Sequence, residues 1–251
     1  MQLIYGKIDR RPFSTILYQY SDSNLKKLTR STVPLLCYWK NYHSRLEKLS
    51  NMINIPLSKD IKFFFEFPVE SFESNTPSFT DLMIISENSA IGIEGKWTES
   101  KYENVKDWLQ KGNKSNRVNV LKHWLRIIEN YSNTELGIDD FQPFTYQLVH
   151  RVASVCTQNR DNIFMVYQIF QNKETGYRGY FNELSEFSKL IKPNNRLIFS
   201  TLNINLGLTE KYFEKSKFLE SIDDSKKAHY IRKSILEDEL FTFSGDNVSV
   251  I

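Results

Sequence analysis

Apolar residues follow two rhythms along this chain, one every three or four positions and one every second position. The switches between them mark helices and strands. Leu35, Trp39, Tyr42, Leu46, Leu49 and Ile53 keep helical spacing. One helix is therefore predicted over 31–54, capped by Ser31 or Thr32, with Pro34 in its first turn. Residues 61–67 alternate as a strand, and residues 79–97 read as two apolar strands joined by a polar turn. Further helices are predicted at 103–111, 117–131 and 144–156. Residues 163–170 are almost wholly apolar and read as a central strand. A helix at 182–191, a strand at 196–203, helices at 209–219 and 226–240 and an edge strand at 248–251 complete the pattern. Residues 1–30 are mixed: 16–18 suit a short helix or strand, and 21–24 a turn or cap. No linker or repeat interrupts the chain, so a single domain over 1–251 is expected. Its class is α/β (mixed α+β), a central mixed β-sheet flanked by helices on both faces.

Charges interrupt this pattern most tellingly at 79–97. With Glu87-Asn88 as a two-residue turn, Ser86 faces Ser89, Ile84 faces Ile91, and Asp81 falls opposite Glu94. Directly opposed residues share a face, as do residues two apart, so Asp81, Glu94 and Lys96 converge. The other face carries Leu82, Ile84, Ile91, Ile93 and Trp97. A slip of one residue would scatter the three charges. Burying a charge without a partner is costly. Two carboxylates beside a lysine suit a hard cation, Mg²⁺ or Mn²⁺ in its place, in attack on a phosphodiester. The competing reading is a hairpin carrying a simple salt bridge.

Composition adds limits. The 251 residues are 40% hydrophobic and 25% charged, with a net charge of +3. That permits nucleic-acid binding without requiring it. Cys37 and Cys156 stand far apart in helical contexts and read as free thiols of a reducing, cytoplasmic setting. No signal peptide or membrane-length apolar run is read, so no membrane association is expected. The four histidines show no ligand spacing, and no glycine-rich phosphate loop occurs, so no nucleotide cofactor is expected.

The spacing Asp81…Glu94-Gly95-Lys96 resembles the PD-(D/E)xK nuclease superfamily, the restriction-endonuclease-like fold. The resemblance covers about residues 32–170 and leaves 171–251 as an elaboration. Thr80 stands where the family pattern has proline, with Pro77 further upstream. The resemblance implies that Asp81 and Glu94 are metal ligands, that the Gly95 carbonyl is a further ligand, and that Lys96 is the catalytic lysine. It also implies a polar residue on the helix after the motif. Gln147, as a catalytic residue, and Arg151, as a nucleic-acid contact, lie four apart on one face there. For an acidic residue before the motif, Glu47 competes with Glu66 and Glu70.

After the motif, Lys114 and Arg117 belong to a basic run that suits DNA phosphates, although Glu99, Glu103 and Asp107 dilute it. A solvated helix face would look the same. The function expected is a Mg²⁺-dependent endonuclease acting on DNA, of type II restriction or related defence type, for which a homodimer fits two-fold cutting. The alternatives are an RNA or structure-specific DNA nuclease of the same fold, or a non-catalytic nucleic-acid-binding module.

Overall fold

The structure, a computed structural model, describes residues 1–9, 12–55, 58, 60–70 and 77–251. Eight strands form one sheet: β1 (Gln2–Tyr5), β2 (Ile8–Asp9), β3 (Lys62–Val69), β4 (Ser78–Ile85), β5 (Ser89–Lys96), β6 (Asn162–Gln171), β7 (Leu197–Leu208) and β8 (Phe241–Val250). Their order is β2-β1-β3-β4-β5-β6-β7-β8. The sheet is mixed as expected. β3, β4 and β5 pair antiparallel, β5, β6 and β7 pair parallel, β1 joins β3 in parallel, and β8 closes antiparallel on β7.

Alternating side chains feed two cores. Leu82, Ile84, Ile91, Ile93 and Trp97 all fall in the first core, the face read as apolar in the sequence. That face is covered by α1 (Phe13–Leu17), α2 (Thr32–Trp39), α3 (Tyr42–Ile53), α8 (Glu210–Glu220) and α9 (Asp224–Glu237). The opposite core packs Met83, Ala90 and Met165 under α4 (Val105–Gln110), α5 (Lys114–Glu129), α6 (Tyr146–Cys156) and α7 (Tyr180–Ile191).

The single helix expected over 31–54 is two helices. Asn41 leaves helical geometry with ψ +48°. Lys40 there sends its ammonium to the Ile235 and Leu236 carbonyls at the end of α9, at 3.1 and 2.5 Å. Ser31 does not cap α2 with its side chain. Its backbone N–H instead donates to Glu99 Oε1 at 2.9 Å. At the far edge, β8 runs much longer than the four-residue tail expected. Its pairing with β7 shifts between Asn203 and Asn205, opposite Gly245, whose φ of +62° is left-handed. The next residue, Asp246, turns onto the helices, where Tyr38 donates to it at 2.8 Å and Lys48 pairs with it at 2.9 Å. Cys37 and Cys156 are free thiols. Among the described residues, no helix is long and apolar enough to cross a membrane.

Candidate active site

β4 and β5 adopt the expected register: Ile84 lies opposite Ile91 and Leu82 opposite Ile93. The Ser86 N–H donates to the Ser89 carbonyl across the turn at 2.8 Å. One step beyond Leu82, Asp81 comes level with Glu94. On the other side of β4, the pairs Phe65–Leu82 and Phe67–Thr80 bring Glu66 level with Asp81. Carboxylates of three neighbouring strands therefore form one row, and at that row the strand pairing lapses on both sides of Asp81.

Glu66 holds this row in an unusual way. Its φ of +49° is left-handed, a conformation that costs a residue with a side chain about 1–3 kcal/mol. The kink also reverses the facing of the strand. Phe63 and Phe65 belong to the first core, whereas Phe64 and Phe67 pack on the second, with ring centroids 5.1 Å apart.

Asp81 Oδ2 accepts the Gly95 N–H at 2.8 Å. A strand residue's N–H and C=O leave toward the same neighbour, so Gly95 turns both groups toward Asp81. Glu94 is almost completely buried and fully engaged. Its Oε1 accepts from Lys96 Nζ at 3.1 Å and from Gln147 Nε2 at 2.8 Å, and its Oε2 accepts from Arg151 Nε at 2.5 Å. Gln147 closes the triangle, its Oε1 accepting from Lys96 Nζ at 2.5 Å. Both residues reach the site because α6 presents positions 147 and 151 on one face. Rings surround the Lys96 ammonium: Tyr102 at 4.6 Å, with Tyr167 and Tyr180 at 5.5 Å.

The electrostatics are unbalanced. Burial pushes the Glu94 carboxyl up, but Arg151 and Lys96 overcome it and hold the group below its ordinary range. Asp81 is held well above its range, by burial first and then by the charge of Glu94, with Arg151 opposing. Burial likewise pushes Glu66 up to about 7, opposed by Arg151 and assisted by Glu94. Two of the three carboxyls thus lack enough positive charge, and oxygen donors short of counter-charge match a hard divalent cation. Among the described residues, no group of three His, Cys, Asp or Glu side chains stands ready to hold an ion. Glu94 would have to exchange Arg151 and Lys96 for one.

Glu66, Asp81, Glu94, Gln147 and Arg151 line one cavity of about 400 Å³ with Tyr102, while Lys96 lies buried behind Glu94 and Gln147 and not in the wall. The remaining expectations divide. Arg151 points at Glu94 and not into solvent, because a buried carboxylate claims it. Arg117 lies outside the cavity. Its guanidinium donates to the Trp108 carbonyl and sits 4.9 Å over the Trp108 ring. Lys114 opens α5, but its side chain lies outside the described residues. Glu47 is exposed on α3, and Glu70 is exposed and paired with Lys7 at 2.7 Å. Of the three acidic candidates, only Glu66 reaches the site.

Tyr102 and Glu99 were not foreseen. Tyr102 sits in a loop that no periodicity marks. Glu99 clasps the Trp97 and Ser31 N–H groups, tying the end of β5 to the start of α2.

A family model described as a domain of unknown function, DUF6946, matches residues 16–210, and the chain belongs to that family. The matched residues include every side chain lining the carboxylate cavity. No curated protein and no solved structure matches the chain.

Proposed function

We propose that this chain is a divalent-metal-dependent nuclease that hydrolyses DNA phosphodiester bonds on a restriction-endonuclease-like core. The observation that carries this reading is the carboxylate row. Glu66, Asp81 and Glu94 stand level on three adjacent strands, with Lys96 beside Glu94 and one cavity in front of them. Asp81 and Glu94 would hold Mg²⁺, with Glu66 and the Gly95 carbonyl as further oxygen donors. The bound cation supplies Lewis acidity and an activated water.

The chain's own residues do the rest. Lys96, held by Gln147, would supply positive charge beside the negative charge that develops at the phosphorus. Gln147 holds that lysine in position. Arg151 lines the same cavity and would compensate a phosphate there. The restriction-type assignment and a homodimer rest on the motif alone.

The test is digestion of plasmid, single-stranded DNA and RNA by the full chain. Cleavage is expected with Mg²⁺ or Mn²⁺, is abolished by chelation, and falls about 10²–10³-fold in Lys96→Ala. Melting temperature gives an independent readout: added Mg²⁺ should raise it in the parent and not in Asp81→Asn.

One observation favours a second reading. Both oxygens of Glu94 are already satisfied by the protein, as in a nucleic-acid-binding module that keeps the fold without turnover. Absence of both cleavage and a Mg²⁺-dependent melting shift would establish that reading and overturn the first.

A further inference from the structure

Arg151 separates two cavities. On its far side from Glu66 and Asp81 lies a second space of about 380 Å³. Its walls are aromatic and come from four elements. Phe79 stands at the start of β4, Trp108 on α4, Trp124 on α5, and Tyr146 on α6. The Trp108 and Tyr146 rings stack 3.6 Å apart and 7° from parallel. The Trp124 indole N–H donates to the Tyr146 hydroxyl at 3.1 Å, so these planes are fixed relative to one another. Phe79 is 41% exposed at the rim.

The polar features are few and directed. Arg151 Nη1 donates to Ser78 Oγ at 2.9 Å, and that hydroxyl lies 2.7 Å from His150 Nδ1. Arg151 Nη1 also lies 3.3 Å from His150 Nδ1, so guanidinium, hydroxyl and imidazole form one hydrogen-bonded cluster. Among the described residues, no acidic side chain lines the space.

We infer that this cavity seats one unpaired nucleobase of the DNA strand whose phosphodiester lies at the carboxylates. The inference deepens the nuclease reading and rests on it for the position of the phosphate. Three features carry it. The volume falls at the small end of ligand pockets, about 300–1,000 Å³, and suits one flat ring system. The walls are aromatic, and since Trp108 and Tyr146 turn one face to each other, the exposed Phe79 ring at the rim is the one a base would stack on. The one charged group at the wall is the Arg151 guanidinium, which Glu94 already pairs from the other cavity. Arg151 is shared with the carboxylate cavity, so base and phosphate would sit on either side of one guanidinium. A paired base is stacked within its duplex and cannot enter without being extruded at a cost, so the substrate is single-stranded DNA.

The test measures binding by the full chain in chelator, so that cleavage does not intervene. The probes are a short fluorescein-labelled single-stranded DNA, its duplex, the same strand with abasic positions, and RNA of the same sequence. Single-stranded DNA should bind about tenfold tighter than duplex or abasic strand, and should quench tryptophan fluorescence. Phe79→Ala, at an exposed position, should weaken single-strand binding about tenfold without lowering the melting temperature. Trp108→Ala should do the same where it folds.

Equal binding by Phe79→Ala and the parent, or preference for the duplex, overturns the base seat. If Mg²⁺-dependent cleavage persists in that case, the nuclease reading stands without it. Base-dependent binding without cleavage under any divalent metal supports the seat and removes the nuclease reading. Tighter binding of RNA overturns the assignment to DNA, and no binding of any probe overturns the base seat.

Discussion

Glu94 is a carboxylate that the protein has already neutralised. It is 3% exposed and relies on Arg151, Lys96 and Gln147. Removing one partner of a buried pair leaves the other uncompensated, which costs about 3–5 kcal/mol. Arg151→Met keeps the volume and deletes the charge, so urea unfolding should show a loss of that size. The loss should shrink when Mg²⁺ is added. Glu66 has the opposite problem. Its folded carboxyl keeps a proton up to about pH 7, whereas the ordinary value is 4.5. Between those values the unfolded chain binds fewer protons than the folded one, so stability falls as pH rises from 4.5 to about 7. Melting curves without metal should show that decline. Glu66→Gln should flatten it and gain on the order of 1–3 kcal/mol at pH 7 and above. Asp81, raised by burial and by Glu94, leaves a residual slope in the variant.

At the scale of elements, α6 matters because it delivers Gln147 and Arg151 from one face, and Val155 continues that face by another four positions. Val155 rests on β5 where the strand has no side chain. A Cβ placed at Gly92 would meet Val155 Cβ at 3.1 Å and Cγ2 at 3.3 Å. Gly92→Ala should therefore lift α6 and cost about 1–3 kcal/mol in denaturant unfolding. It should also lower nuclease activity, and Val155→Ala in the same chain should restore only part of both, because it removes the Cγ2 contact and keeps the Cβ contact. The hairpin that carries the motif was legible because its turn, alternation and register are all local. The break between α2 and α3 was not legible, since Lys40 is held by carbonyls about 195 residues further on. β1 escaped notice for the same reason: a four-residue strand becomes one only by pairing with β3.

For the molecule as a whole, the layered α/β order could be read from the chain because apolar rhythm reports burial, and burial decides which face meets which layer. The site could be read only in part. Asp81, Glu94 and Lys96 followed from one register, whereas Gln147 came from the family resemblance, with helical spacing placing it on one face with Arg151. Glu66 reached the row by alternation with Phe64, whereas the left-handed turn there, which sends Phe67 to the same side, is not encoded in that alternation. The second cavity gathers Phe79, Trp108, Trp124 and Tyr146 from segments that meet only when the helices dock.

The sheet's last strand has a further consequence. β8 is ten residues long and, among the described residues, nothing pairs along its outer side. Such an edge invites a neighbouring chain to add a strand. Here the bulge at Gly245 breaks its straightness, and Asp246 directs a charge inward onto Tyr38 and Lys48. The features that anchor the strand also blunt it as a template, and so guard the protein against edge-to-edge aggregation at high concentration.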